Sequence, residues 1–254
     1  MHAVVATVDV LDKTKRLFLS GLIRRRPTFS IIIPVLNESR ILGSFLSHLK
    51  STTQNEPTEI IVVDGQSSDS TILIAQEFAN KVLYTTHPCR ACQMHEGAKA
   101  AAGEILLFLH SDTKLPYHWQ KVLLQAWRGE TKPSVTAFRS GFDSNQWFYK
   151  IISTMAHWRT LWFTGTPHGD QAIAVERLPY LASGGFPHTP LMEEYFLMRK
   201  LRHRGPLKIL SANVATSTRR YERNSPFLNN IRNLLIIVLF YLRVPTPILT
   251  KLYR

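Results

Sequence analysis

Cysteine is nearly missing from this chain. There are two in 254 residues, both in one short stretch. A disulfide framework is therefore excluded, and the count suits a reducing compartment. Acidic residues are also scarce, 18 Asp and Glu against 31 Lys and Arg, which leaves a formal charge of +13. Only 19% of residues are charged and 44% are apolar, which excludes a disordered chain and predicts a sizeable core. Long hydrophobic runs are missing too. The longest is Leu234 to Leu242, whereas a bilayer span needs about 20 apolar residues. The opening residues lack the basic-then-apolar order of a secretory signal. No G-x-x-x-x-G-K-[ST] loop occurs, which argues against a P-loop nucleotide triphosphatase. No G-x-G-x-x-G follows the first strand-like run, so a dinucleotide cofactor is not expected. Neither an internal repeat nor a Pro/Gly/Ser-rich linker divides the chain, and one domain is expected.

What is present is unevenly spread. From Arg199 onward twelve Lys or Arg face a single acid, Glu222, and residues 1–28 form an apolar and basic arm carrying Arg24, Arg25 and Arg26. Such a balance points to nucleic acid, an acidic membrane surface or a phosphate-bearing substrate. No nucleic-acid recognition motif appears, and the bases lie among aliphatic residues at both ends. An anionic membrane surface explains that mixture better, with the chain cytoplasmic and peripheral on the inner face of the cell membrane. Residues 227–254 are the expected contact segment; Leu234 to Leu242 is equally compatible with an ordinary buried helix.

Between the ends, strand and helix patterns alternate. Phe29 to Leu36, Glu59 to Asp64, Val82 to Tyr84 and Glu104 to His110 read as strands. Helices are expected over Glu38 to Leu49, Asp69 to Phe78 (capped by Ser67 or Ser68), Arg90 to Ala102, and Leu115 to Trp127 starting near Pro116. Four alternations predict an α/β fold with a parallel sheet. Later, strands are expected at Val135 to Phe142, Gln171 to Val175 and Leu207 to Val214, and helices at Trp147 to Trp162 and Met192 to His203.

Ligands of such sheets bind beyond the carboxyl ends of the strands. The first strand ends in Asn37 and Glu38, the second in Asp64-Gly-Gln-Ser-Ser-Asp69, the fourth in His110-Ser111-Asp112. Singly, these are helix caps, a turn and a buried histidine. In series they predict a site. A carboxylate such as Asp64 can accept from a base or ribose, and Asp112 can hold a divalent cation that neutralises a pyrophosphate.

One stretch poses its own question. His87-Pro-Cys89-Arg90-Ala-Cys92-Gln93-Met-His95 holds four potential zinc ligands in nine residues. All lie in one strand-to-helix connection and progress around the helix, unlike structural zinc, which joins separated segments. The thioredoxin-like context of a redox C-x-x-C is also absent.

"SIIIPVLNE", "IIVVDGQSSDST", "LLFLHSDT", "GDQAIAV", "GGFPHTPLMEE" and "TSTRRYERN" resemble, in order, the landmarks of family-2 glycosyltransferases with the GT-A fold. They are similar in particular to a bacterial subfamily labelled arsenosugar-biosynthesis glycosyltransferases. The resemblance covers about residues 29 to 254, with the GT-A domain expected over 29–226. It implies a single Rossmann-like, mostly parallel sheet flanked by helices. It further implies transfer of a sugar from a UDP- or GDP-linked donor to an acceptor hydroxyl, with Mg²⁺ or Mn²⁺ as cofactor. By that resemblance Pro34, Asn37, Glu38, Asp64, Ser67, Asp69, Ser111, Asp170, Arg219 and Arg220 bind the nucleotide sugar, and Asp112 binds the metal. Glu193 or Glu194 is the base, and one base with no evident nucleophile predicts inversion. Arg90 and Gln93 in the cysteine stretch match the relatives' donor-contacting segment, whereas Cys92 stands for an arginine and His95 for an asparagine. Glu194 also departs from the family, which has Asp there. Three alternatives remain: a solvated first helical turn at Glu193-Glu194, a degenerate member acting as a nucleotide-binding or membrane scaffold, and a nucleic-acid-binding protein. The acceptor is unspecified; a lipid-linked one follows from the basic, apolar termini alone.

Overall fold

The computed structural model describes residues 27–86, 89–219 and 226–253. Its frame is a sheet of seven strands in the order β3-β2-β1-β4-β7-β6-β8. The strands are β1 (Phe29–Val35), β2 (Thr58–Asp64), β3 (Lys81–Tyr84), β4 (Ile105–Phe108), β6 (Val135–Arg139), β7 (Ile173–Glu176) and β8 (Leu207–Asn213). The first four run parallel in register, Ile31 lying beside Ile60 and Leu107. The helices α1 (Ser39–Thr52), α2 (Thr71–Phe78) and α3 (Arg90–Ala100) return the chain between them. This is the crossover geometry that alternating apolar runs require.

The central strands β1, β2 and β4 are buried and largely apolar on both sides because both faces are covered. Phe29, Ile31, Ile33 and Val35 pack with Leu42, Phe45, Leu46 and Leu49 of α1 and with Trp119 and Leu123 of α4 (Trp119–Trp127). Ile32, Ile61, Val63 and Phe108 face the other way. They meet Ala91, Met94 and Ala98 of α3, Tyr180 of α6 (Arg177–Ala182), and Leu197 and Leu201 of α7 (Glu193–Leu201). Gly97 lets α3 lie close on the sheet, since a Cβ there would fall 2.5 Å from an Ile32 methyl.

The second half departs from simple alternation. β7 runs antiparallel to both β4 and β6, while β6 and β8 are parallel. A small second sheet pairs β5 (Thr113–Lys114) with β9 (Ala215–Thr216). Thr113 and Lys114 are thus a strand, and the helix expected from Leu115 begins at Trp119 instead, after a turn in which the Trp119 N–H reaches the Pro116 carbonyl. The expected cap of α2 by Ser67 or Ser68 is not made. Asp69 accepts from the Thr71 N–H at 3.0 Å, while Ser67 is held by Asp64. The aromatic helix α5 (Trp147–Trp158) unwinds to π geometry over Arg159–Thr164. Finally α8 (Pro226–Tyr241) and α9 (Thr246–Tyr253) pack back on the domain. Tyr195 and Phe196 of α7 hold the α8 terminus edge-to-face through Phe240. Among the described residues no helix is long and apolar enough to cross a membrane.

Candidate active site

Two groups of polar side chains gather beyond the carboxyl ends of the parallel strands. The first is built on the turns after β1 and β2. Gly65 donates its N–H to the Val35 carbonyl at 2.9 Å and so locks the two strand ends together. Asp64 is buried, and its carboxylate accepts from the Gln66 and Ser67 N–H groups, both at 2.9 Å, and from the Ser67 hydroxyl at 2.5 Å. Ser67 in turn accepts from the Asn37 N–H at 2.9 Å, and the Asn37 side-chain oxygen accepts from the Ser68 N–H at 2.8 Å. Asn37 and Gln66 hold left-handed backbone, φ 54 and 75, which these bonds keep in place. Asp69 accepts from the Thr71 hydroxyl at 2.5 Å and from the Ser39 N–H at 3.2 Å; these bonds hold its carboxyl well below the usual range. Pro34 lies half-buried near the end of β1.

Gln93 sits beneath this group. Its amide donates to the Val35 and Val63 carbonyls, both at 2.8 Å, and so straps the last residues of β1 and β2 to α3. Arg219 joins the group from far along the chain by an ion pair to Glu38 at 2.9 Å. Arg220 lies outside the described residues.

The second group lines a cavity of about 270 Å³. Asp112, Asp170, Glu193 and Glu194 share its wall with Arg90, Arg159 and Arg232. Ser111, buried beside Asp112, is not part of that wall. The two groups are linked through β9. The Ser217 N–H donates to the Asp112 carbonyl at 2.8 Å, and Arg219 follows two residues later. Asp170 is placed by its neighbour Gln171, whose buried amide bonds the Phe138 carbonyl at 3.1 Å and accepts from Thr160 at 3.2 Å. Gly169 allows a close approach. A Cβ there would lie 2.6 Å from the His110 ring and 2.9 Å from a Glu194 oxygen.

Glu193 and Glu194 are 5% and 9% exposed, so the solvated first turn is excluded. Burial, then Glu193, then Asp170 among further causes push the Glu194 carboxyl up to about 8. Burial also raises Glu193, against the pull of Arg90. Burial works against the Arg90 charge, but Glu193 and Glu194 outweigh it and hold the guanidinium charged. His168, behind Gly169, is driven down to about 3 by burial and by Arg159, so it is neutral. Like-charged carboxyls at such proximity share protons. The wall can therefore hold a proton near neutral pH or welcome a cation. Its carboxylate oxygens are the ligand type that Mg²⁺ and Mn²⁺ select. Among the described residues no three His, Cys, Asp or Glu side chains converge on a point. A cation there would thus draw one or two ligands from the protein and the rest from substrate and water, as Mg²⁺ commonly does.

Several wall residues escape the motifs: Ile152 from α5 and Arg159 just past its end, His168, and Asn229, Arg232 and Asn233 from α8. The helix expected to be either a membrane segment or ordinary core thus supplies one side of the cavity. Asn229, Arg232 and Asn233 stand at i, i+3 and i+4, a spacing that marks one polar face, though nothing in it says which neighbour that face meets.

The cysteine stretch divides three ways. Cys89 caps α3, its sulfur accepting from the Cys92 N–H at 3.4 Å. Cys92 lies 3.6 Å from His188 Nδ1, and His95 Nδ1 lies 3.1 Å from the Tyr180 hydroxyl. Burial, then Cys89, pushes the Cys92 thiol up to about 12. His87 lies outside the described residues. Among the described residues of this stretch only Arg90 reaches the cavity.

The sequence model described as Glycosyl transferase family 2 matches residues 30–183. A Mycobacterium bovis protein named PGL/p-HBAD biosynthesis glycosyltransferase is 34% identical over 114 residues, which is 42% of this chain and 44% of that protein. The chain thus matches under half the length of this curated relative. A Pyrobaculum calidifontis mannosyltransferase, solved with GDP-Man and Mn²⁺, superposes with a TM-score of 0.63 at 18% identity, covering 91% of this chain and 70% of that one. Glucosyl-3-phosphoglycerate synthase from Mycobacterium tuberculosis, solved with Mn²⁺, UDP and product, gives 0.58 at 18% identity, covering 86% and 81%. These solved structures have the GT-A architecture of the present sheet.

Proposed function

The chain belongs to glycosyl transferase family 2, and from that premise we propose that it transfers a sugar from a nucleoside-diphosphate donor to an acceptor hydroxyl, with inversion. The observation that carries the reading is the cavity at the sheet's carboxyl edge, where four acids and three arginines are brought together from separate segments. The turn group of Asn37, Asp64, Ser67 and Asp69 forms the nucleoside end. Arg219, paired with Glu38 and two residues beyond the Ser217 N–H that meets the Asp112 carbonyl, is assigned to the diphosphate. Solved structures of similar fold carry UDP or GDP-Man with Mn²⁺, which supports a UDP- or GDP-linked donor and a divalent cation held by Asp112. When bound, that cation would neutralise charge on the departing diphosphate.

The chain's own residues do the rest. Glu194 accepts the proton of the acceptor hydroxyl, its carboxyl already poised near neutral pH. The oxygen attacks the anomeric carbon, the bond from that carbon to the phosphate oxygen breaks, and the diphosphate leaves with the electron pair. Arg90 orients the two glutamates and offsets the charge that forms beside them. One displacement inverts the anomeric centre. The extra methylene of Glu194, relative to the Asp of relatives, is accommodated by the missing Cβ of Gly169, which leaves its oxygen room beside His110.

Calorimetric titration with UDP or GDP in the presence of Mn²⁺ tests this directly. Saturable binding that Asp112→Ala abolishes is the expected result, with nucleotide release on a suitable acceptor. If neither nucleotide binds, the proposal fails. Binding without turnover across a donor screen would favour the scaffold reading.

A further inference from the structure

The cavity is walled by two helices that each carry a second, outward apolar stripe. On α5, Ile152 and Ala156 face the cavity while Trp147, Ile151 and Met155, at i, i+4 and i+8, are exposed, Trp147 by 72%. On α8, Ile236 and Ile237 are buried at the cavity. Leu228, Ile231, Leu235, Val238 and, just past its end, Leu242 face out at i, i+3, i+7, i+10 and i+14, Leu242 by 71%. The π segment that continues α5 is tied to the end of α8 where the Tyr241 hydroxyl donates to the Thr164 carbonyl at 3.3 Å. Large exposed apolar surface of this kind marks a binding face.

Charge identifies its occupant. The sequence from 144 to 169 and from 226 to 253 contains no Asp or Glu. Lys150, Arg243 and Lys251 on these segments are exposed. Apolar stripes on segments that carry cations and no acid match an anionic bilayer, in which short helices lie at the headgroup level. They match a second copy of this +13 chain poorly, since like charges would meet. We propose that α5 and α8 together seat the protein on an anionic membrane with the cavity beside the lipid headgroups. The acceptor class is then an amphiphile whose hydroxyl-bearing head enters the cavity while its chains stay in the bilayer. This part rests on the sugar-transfer reading of the cavity; the docking face does not.

Vesicle flotation without any donor tests the face. Wild type should float with phosphatidylcholine–phosphatidylglycerol vesicles and not with phosphatidylcholine alone. Ile151→Glu/Met155→Glu and Leu235→Glu/Leu242→Glu should each weaken binding about 10-fold or more. Because these side chains are exposed, both variants should still bind UDP or GDP with Mn²⁺ as wild type does. Wild type remaining unbound overturns the proposal. So does wild-type flotation of the α5 variant, or a dimer that the same substitutions abolish while no flotation occurs. Flotation with no nucleotide binding by any protein would instead overturn the sugar-transfer reading and leave the face standing.

Discussion

Glu194→Gln should stabilise the protein at alkaline pH while removing transferase activity. Burial, then Glu193, among further causes push this carboxyl from an ordinary 4.5 up to about 8. Between those values the native state holds a proton that the unfolded chain has released. Stability therefore falls as pH rises through this window, by about 1.4 kcal/mol per unit for one fully held proton. The whole interval corresponds to about 5 kcal/mol. Water entering the cavity and relaxation around the carboxyl absorb part of this, and a loss of about 2 kcal/mol from pH 5 to 8.5 is expected. Glutamine keeps the shape and cannot titrate, and it frees Glu193 to ionise beside Arg90. Urea unfolding at both pH values is the assay. With a slope of about 3 kcal/mol per molar for a chain this size, the wild-type midpoint should drop about 0.7 M relative to the variant. His168, depressed to about 3, has the opposite dependence, adding stability as pH rises toward 6.5, but it titrates in both proteins and cancels in the difference. Parallel midpoints across the range would refute the reasoning.

Other substitutions separate neighbouring roles. Gln93→Leu removes the amide that bonds the Val35 and Val63 carbonyls; it should cost about 2 kcal/mol by urea unfolding, and an unchanged midpoint would remove its strapping role. Cys92, pushed up to about 12 and nearly buried, should stay unmodified by a disulfide reagent at pH 8 in the native state and react on unfolding; rapid native labelling at Cys92 would contradict this.

Much of the architecture is legible in the chain. The runs at Phe29, Glu59 and Glu104 are apolar on consecutive residues because both faces of those strands are covered. Direction is less legible. Ile173-Ala-Val175 reads the same whether parallel or antiparallel, and only its pairing with β4 decides. The motifs locate Asp112, Asp170, Glu193 and Glu194 because acids at strand ends and helix starts are conspicuous. Arg159 just past α5 and the arginine and asparagines of α8 are not, since a polar face at helical spacing looks the same toward solvent as toward a cavity. The meaning of Gln93 was hidden for a different reason. An amide that bonds two main-chain carbonyls leaves no pattern in the side chains around it.

The wall supplied by α8 bears on how the molecule assembles. Arg90 and Asp112 belong to the first half of the chain, whereas Asn229, Arg232 and Tyr253 close the same space from its far end. The parallel strands β1 to β4 and their crossover helices all lie before residue 109, so they can form while the later residues are still being synthesised. The cavity cannot. Its acids stay open to water until α8 arrives. The cavity is therefore completed in a late docking step, distinct from the folding of the sheet.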